Sequence, residues 1–251
     1  MTDASRETRV LDAVVTLVDS LLDDFDVVEL LTELTERCAK LLDVAAAGLL
    51  LADPLQNLHL LAATSEKARE LELFQLQTDE GPCLDCYANG QPISVADLAA
   101  ETARWPRFVP AAVEAGFASV HAVPMRAAGI VLGALGLFGT HSGELNAADL
   151  LVGQSLAHIA CVAIVQEHAP TSSAVAPRLR SALAARIVIE QAKGFVRERL
   201  DVSVQDAFTL LRRYARSNDD HLTDVARRLI AHPESRPAIL AAITAMNSSP
   251  P

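Results

Sequence analysis

The chain has 251 residues, of which 51% are hydrophobic and 21% charged, and it carries a formal net charge of −11. That length accommodates one or two domains with a sizeable core, and the acidic total is the wrong sign for a protein that holds nucleic acid by its overall charge. Four cysteines, at 38, 83, 86 and 161, are too dispersed for a disulfide framework and fit a reducing cytoplasm.

Residues 1–9 are polar and do not read as a signal peptide, and no apolar run is expected to reach membrane-spanning length. Apolar residues at 10, 11, 14, 15, 17, 18, 21 and 22 predict a helix over 6–22, with a stripe wide enough for a core and a partner helix together. Asp26 opens a second helix over 27–42. Residues 45–51 and 58–62 read as strands around the turn Pro54-Leu55-Gln56-Asn57. There follow a short helix over 65–73, a loop with a weak helical turn over 78–89, a strand over 93–95 and a helix over 110–115. Strands over 120–125 and 130–138 come next, and Gly133, Gly136 and Gly139 point to close backbone approach. A long helix over 147–167 closes this part. The succession gives an antiparallel sheet with helices packed on it, an α+β layout.

Residues 169–177 hold Pro170, Pro177 and small polar residues without an apolar period, the composition of a mobile linker. Pro170 should end the long helix, and Pro177 suits the first turn of the next. Three helices are predicted beyond it. In the first, Leu179, Leu183 and Ile187 form one apolar stripe, and Ala185, Val188, Ile189, Ala192 and Val196 form another. Ser203 and Asp206 make an S-x-x-D start signal for the second, near Val204. It should bury Val204, Ala207, Phe208, Leu211 and Ala215 and turn Arg212, Arg213 and Arg216 outward as one arc. Ser-Asn-Asp-Asp at 217–220 is a turn, and Leu222, Val225, Ala226, Leu229 and Ile230 then give the third helix one buried stripe. Residues 232–251 form a tail with room for a short helix.

The first of these helices also aligns Arg186, Lys193 and Arg197, with Glu190 between the first two. Spacing alone fits a solvated face with internal ion pairs. Gly194 argues for more, because a glycine inside a helix costs roughly 1 kcal/mol against alanine and is tolerated where something approaches the backbone. Charge is divided along the chain. Residues after 170 carry 12 basic against 8 acidic side chains, or +4, and those before carry 9 against 24, or −15. An acidic front joined to a basic tail suits a sensor joined to a nucleic-acid reader.

The run Ala-Arg-Ile-Val-Ile-Glu-Gln-Ala-Lys-Gly at 185–194 resembles the ANTAR domain, a three-helix RNA-binding module of bacterial transcription antiterminators. So do Asp206-Ala207-Phe208, Leu210-Leu211-Arg212-Arg213, Ala215 and Asp224-Val225-Ala226. The resemblance implies tandem RNA hairpins with small loops, bound by a protein dimer near a terminator or a start site. Arg186, Lys193 and Gly194 fall on the family's motif; Arg197, Arg212, Arg213 and Arg216 are added as RNA-binding candidates by helical position. In the front part, Asp79-Glu80-Gly81-Pro82-Cys83, Asp97-Leu98, Trp105-Pro106, Gly116, Val123-Pro124-Met125 and Gly133-Ala134-Leu135-Gly136-Leu137 resemble the GAF sensor domain. That resemblance implies the fold and leaves the ligand open, since GAF domains bind cyclic nucleotides, haem, other small molecules or nothing.

Cys83, Trp105 and His121 are the ligand-binding candidates of the front part, and Cys83-Leu84-Asp85-Cys86 is a C-x-x-C pair with redox potential. Zinc would need a second such pair, and Cys38 and Cys161 do not form one. No haem attachment motif accompanies the histidines, and no P-loop, G-x-S-x-G or zincin motif is present. No cofactor, metal or catalytic residue is expected. The whole reads as an N-terminal helix (1–24), a GAF-type α+β domain (25–168), a linker (169–177), an all-α three-helix ANTAR bundle (178–231) and a tail. The expected protein is a cytoplasmic, homodimeric, non-enzymatic RNA-binding regulator of termination or translation. The alternative is a small-molecule or redox sensor whose bundle serves protein–protein contact.

Overall fold

The computed structural model describes residues 3–22, 25–42, 44–166 and 172–248. Within them the chain divides into two compact units, 1–180 and 181–251.

In the first unit, α1 (Asp3–Leu22) buries Ala13 and Leu17 and leaves Leu11, Val15, Val18 and Leu22 exposed. Helix α2 (Val27–Leu41) starts where expected, because the Asp26 carboxylate accepts from Val28 N at 2.9 Å and Glu29 N at 3.0 Å. The sheet contains β1 (Ala46–Ala52), β2 (Leu58–Ala63), β3 (Ile93–Val95), β4 (Ser119–Ala127) and β5 (Ile130–Gly139) in the order β2-β1-β5-β4-β3. Every neighbouring pair is antiparallel. Asp53 organises the β1–β2 turn by accepting from Leu55 N and Asn57 N. Ala128 and Gly129, both at positive φ, make the two-residue β4–β5 turn, the geometry that matches strand twist.

Helices α3 (Glu66–Thr78), α4 (Pro82–Asn89) and α5 (Phe108–Glu114) lie between β2 and β4 in sequence. The stretch expected as a loop with a weak turn is therefore a full helix, α4. Pro82 pre-sets its first turn, and Gly90, at φ 62, closes it by donating to Cys86 O. Helix α5 starts two residues earlier than expected, because the distant Glu80 carboxylate caps it, accepting from Arg107 N and from Phe108 N at 2.7 Å.

Helix α6 (Ala147–Gln166) packs on β4, α2 and α1. Its span Ala147–Val165 is long and apolar enough to cross a membrane by length and composition, with mean hydropathy 1.7, which corrects the expectation that no run reaches that length. Leu156, Ala157, Ala160, Ala163 and Ile164 of this helix are buried in the unit, while Leu151 and Val162 are exposed.

Helix α7 (Ser172–Leu200) begins inside the stretch read as a linker, and Pro177 falls in its second turn. Residues 169–171 lie outside the described ones. Pro177 removes one early hydrogen bond of α7, and Ala174 and Ala176 beside it favour helix. In the second unit α8 (Val204–Ser217) is capped by Ser203, whose hydroxyl accepts from Asp206 N at 3.0 Å, as the S-x-x-D signal requires. The core joins Ile189, Ala192 and Val196 of α7, Ala207, Phe208 and Leu211 of α8, and Leu222, Val225, Ala226 and Leu229 of α9 (Leu222–Ala231). Ile187 is 59% exposed, so the earlier apolar stripe of α7 does not close a core within this unit. The tail forms α10 (Arg236–Ser248), whose buried Ile239 and Ile243 pack on α8 and α9. The three-helix bundle thus acquires a fourth helix.

Candidate nucleic-acid interface

Residues at i, i+4 and i+7 share one side of a helix, and Arg186, Glu190 and Lys193 stand at that spacing on α7. A single oxygen, Glu190 Oε1, lies 2.8 Å from Arg186 Nη2 and 2.9 Å from Lys193 Nζ. The expected polar side is not a solvated one at its centre, for Lys193 is only 9% exposed. Its ammonium lies 5.2 Å from the Phe208 ring centroid on α8, and the Arg212 guanidinium lies 5.6 Å from the same ring. These distances are within reach of cation–π attraction, which strengthens where water is excluded. The sequence marked Phe208 as core and missed it as a platform for two cations.

One residue after Lys193, Gly194 is exposed, and a Cβ built on it would meet nothing within 4 Å. Packing within this unit therefore gives no reason for a glycine here. Arg197, one turn further, is exposed, as is Arg216 on α8. Arg213 departs from the expected arc: it is half-buried and donates to the Met246 carbonyl at the end of α10. The cause is the fourth helix, whose last carbonyls need donors. Arg236 plays the same part for α9, donating from Nε to Leu229 O at 2.8 Å.

The front-unit candidates do not converge. Cys83 and Cys86 are free thiols buried with Leu50, Ala122 and Ala134. Burial pushes Cys86 up to about 12 and Cys83 well above the usual thiol value, which opposes the thiolate that redox exchange requires. Trp105 belongs to another cluster, edge-on to Phe108 at 6.2 Å and close to Phe138 and Val120. His121 stands between Val120 and Ala122 on β4, so it faces the opposite side of the sheet. Its Nδ1 is 2.7 Å from Ser94 Oγ, burial pushes its pKa down, and it lines a cavity of about 490 Å³ with Ser119, His141, Glu144 and Asp149. Among the described residues no group of three or more His, Cys, Asp or Glu could hold a metal.

Comparison with known proteins adds the following. A GAF domain family model matches residues 26–165, and an ANTAR domain model matches residues 178–230. The fold is similar to the GAF domain of a phosphoenolpyruvate-protein phosphotransferase from Acinetobacter, at 15% identity and TM-score 0.52, over 68% of this chain and 99% of that one. It is also similar to the GAF domain of a phosphoenolpyruvate-protein phosphotransferase from Coxiella burnetii, at 17% identity and TM-score 0.52, over 63% of this chain and 94% of that one. At such identities the likeness is one of fold alone. No curated protein matches the chain.

Proposed function

The chain belongs to the GAF domain family and ends in an ANTAR domain, and from that premise we propose that it is an RNA-binding regulator of transcription termination or translation. ANTAR is an RNA-binding antitermination module and GAF a sensor domain, and both are regulatory rather than catalytic. The observation that carries the reading is the setting of Gly194. A helix-interior glycine with open space outside it, between buried Lys193 and exposed Arg197, lets a phosphate backbone come close to α7. Arg186, Arg212 and Arg216 extend the same positive surface, and Arg213 serves α10 instead. RNA stem-loops in tandem are the partner of suitable charge and repeat.

A homodimer suits a paired target. Leu11, Val15, Val18 and Leu22 stand at spacings of 4, 3 and 4 on the outer face of α1, and Leu151, Ser155, His158 and Val162 repeat those spacings on α6. On α1, where all four are apolar, that spacing is the repeat of a coiled coil, and a second copy laid on it would bury side chains that are now exposed. Two linked readers raise avidity through effective concentration. The regulator works in the cytoplasm, beside its RNA.

Titration of the full chain against an RNA with two adjacent stem-loops, over a range of salt, tests this reading. Binding that weakens steeply with salt is expected, because phosphate contacts release counterions. Absence of binding at low salt by a demonstrated dimer overturns it.

A further inference from the structure

Glu190 is out of place on a face meant for phosphate. A carboxylate repels RNA, and one shared between Arg186 and Lys193 cancels part of the charge they present. Phe208 adds to the puzzle, since it draws the Lys193 ammonium toward the α7–α8 seam rather than toward solvent. Both features make sense if the geometry of the cations matters more than their sum.

We propose that Glu190 and Phe208 are positioning residues of the RNA-binding face, holding Arg186, Lys193 and Arg212 in one arrangement before RNA arrives. The inference rests on the RNA-binding reading given above. Long basic side chains sample many rotamers, and ordering them at the moment of binding weakens affinity. Glu190 ties two of them to one oxygen from opposite directions along α7. The Phe208 ring lies within 6 Å of two of them, Lys193 from α7 and Arg212 from α8. Lys193 belongs to both sets, which links the carboxylate to the ring. The arrangement is therefore set during folding, and the backbone at Gly194 keeps a fixed place beside it.

The sign of one substitution separates positioning from simple attraction. Glu190→Gln removes a negative charge and keeps the shape. Charge alone then makes RNA bind more tightly and raises the slope of log affinity against log salt. Positioning makes it bind more weakly, by about tenfold for the loss of two charge-assisted bonds, with a smaller slope. The full-length chain and its variants are titrated with a synthetic RNA of two adjacent stem-loops with randomised loops, and circular dichroism monitors folding. Phe208→Leu, which keeps apolar volume without an aromatic face, weakens binding in the same way, and Phe208→Tyr restores it. A Glu190→Gln variant that binds as tightly as the parent or more tightly overturns the proposal, as does Phe208→Leu with parental affinity. Failure of the parent chain itself to bind the probe overturns the RNA-binding reading instead, and this inference with it.

Discussion

The Glu72 carboxyl lies 3.6 Å from the Cys83 thiol, seated above Gly48 and Gly136, which are register partners on β1 and β5. Gln75 closes the group, donating to Glu72 Oε2 at 2.9 Å and accepting from Cys83 N at 3.0 Å. Helices α3 and α4 are thus stitched to each other, over the sheet, by polar groups that water does not reach. Burial pushes the Glu72 pKa up to about 8.

That shift has a defined sign. In the unfolded chain the Glu72 carboxyl loses its proton near the usual glutamate value, so between there and about pH 8 the folded state binds more protons. Stability conferred by this group is therefore full at low pH, falls by at most about 1.4 kcal/mol per pH unit as pH rises through that window, and levels off above it. Glu72→Gln should flatten this dependence and be more stable than the parent at pH 8, measured by urea unfolding at a series of pH values. A variant with the parental pH profile would contradict the buried-carboxyl account.

Two glycines of β5 should differ in what they tolerate. A Cβ at Gly136 meets Glu72 Oε1 at 2.5 Å and Cys83 Sγ at 2.8 Å, whereas one at Gly133 meets the Leu50 backbone carbonyl oxygen at 2.0 Å. Side chains shift more readily than a paired strand, so Gly136→Ala should destabilise by about 1–3 kcal/mol and Gly133→Ala by more. Thermal melts of the two variants rank them.

At Gly194 stability and function should move in opposite directions. With open space around the built Cβ, Gly194→Ala should stabilise α7 by roughly 1 kcal/mol and raise the melting temperature. The added methyl group holds a phosphate backbone away from the helix, so affinity for the two-stem-loop RNA should fall. Unchanged affinity in the more stable variant would remove the close-approach argument.

Arg197 and Arg213, both basic and both on helices of the second unit, should give crossed results. Arg197→Ala should lower the salt slope of RNA binding by about 1 with little change in stability. Arg213→Ala should leave that slope unchanged and destabilise the unit, since it strips the Met246 carbonyl of its donor. Paired salt titrations and melts read both outcomes.

Placing a charge on the outer face of α1 tests the dimer seam. Val15→Asp should yield a monomer by light scattering, because a carboxylate is costly to bury against an apolar partner. Affinity for one stem-loop should persist and the gain from two should disappear.

The sequence by itself determined what depends on neighbours along the chain. The Asp26 and Ser203 caps, the stripe of α9 and the turn at 54–57 each lie within a few residues, so period, turn and cap chemistry located them. The motif at 185–194 marked the ANTAR domain in the same way, and the charge division marked the two halves. Tertiary structure decided everything that depends on which faces meet. Lys193 is buried because α8 brings Phe208 over it, and Arg213 turns aside because α10 ends beside it. His121 is parted from Cys83 and Trp105 because the pleat turns it to the other side of the sheet from Val120 and Ala122, and on the shared side Cys83 and Trp105 fall into separate clusters. Glu72 finds its seat only when β1 and β5 bring Gly48 and Gly136 together, 88 positions apart in the chain. Side-chain roles set by such long-range pairings leave no local period to read, because the free energy that fixes them arises only when distant surfaces exclude water from one another.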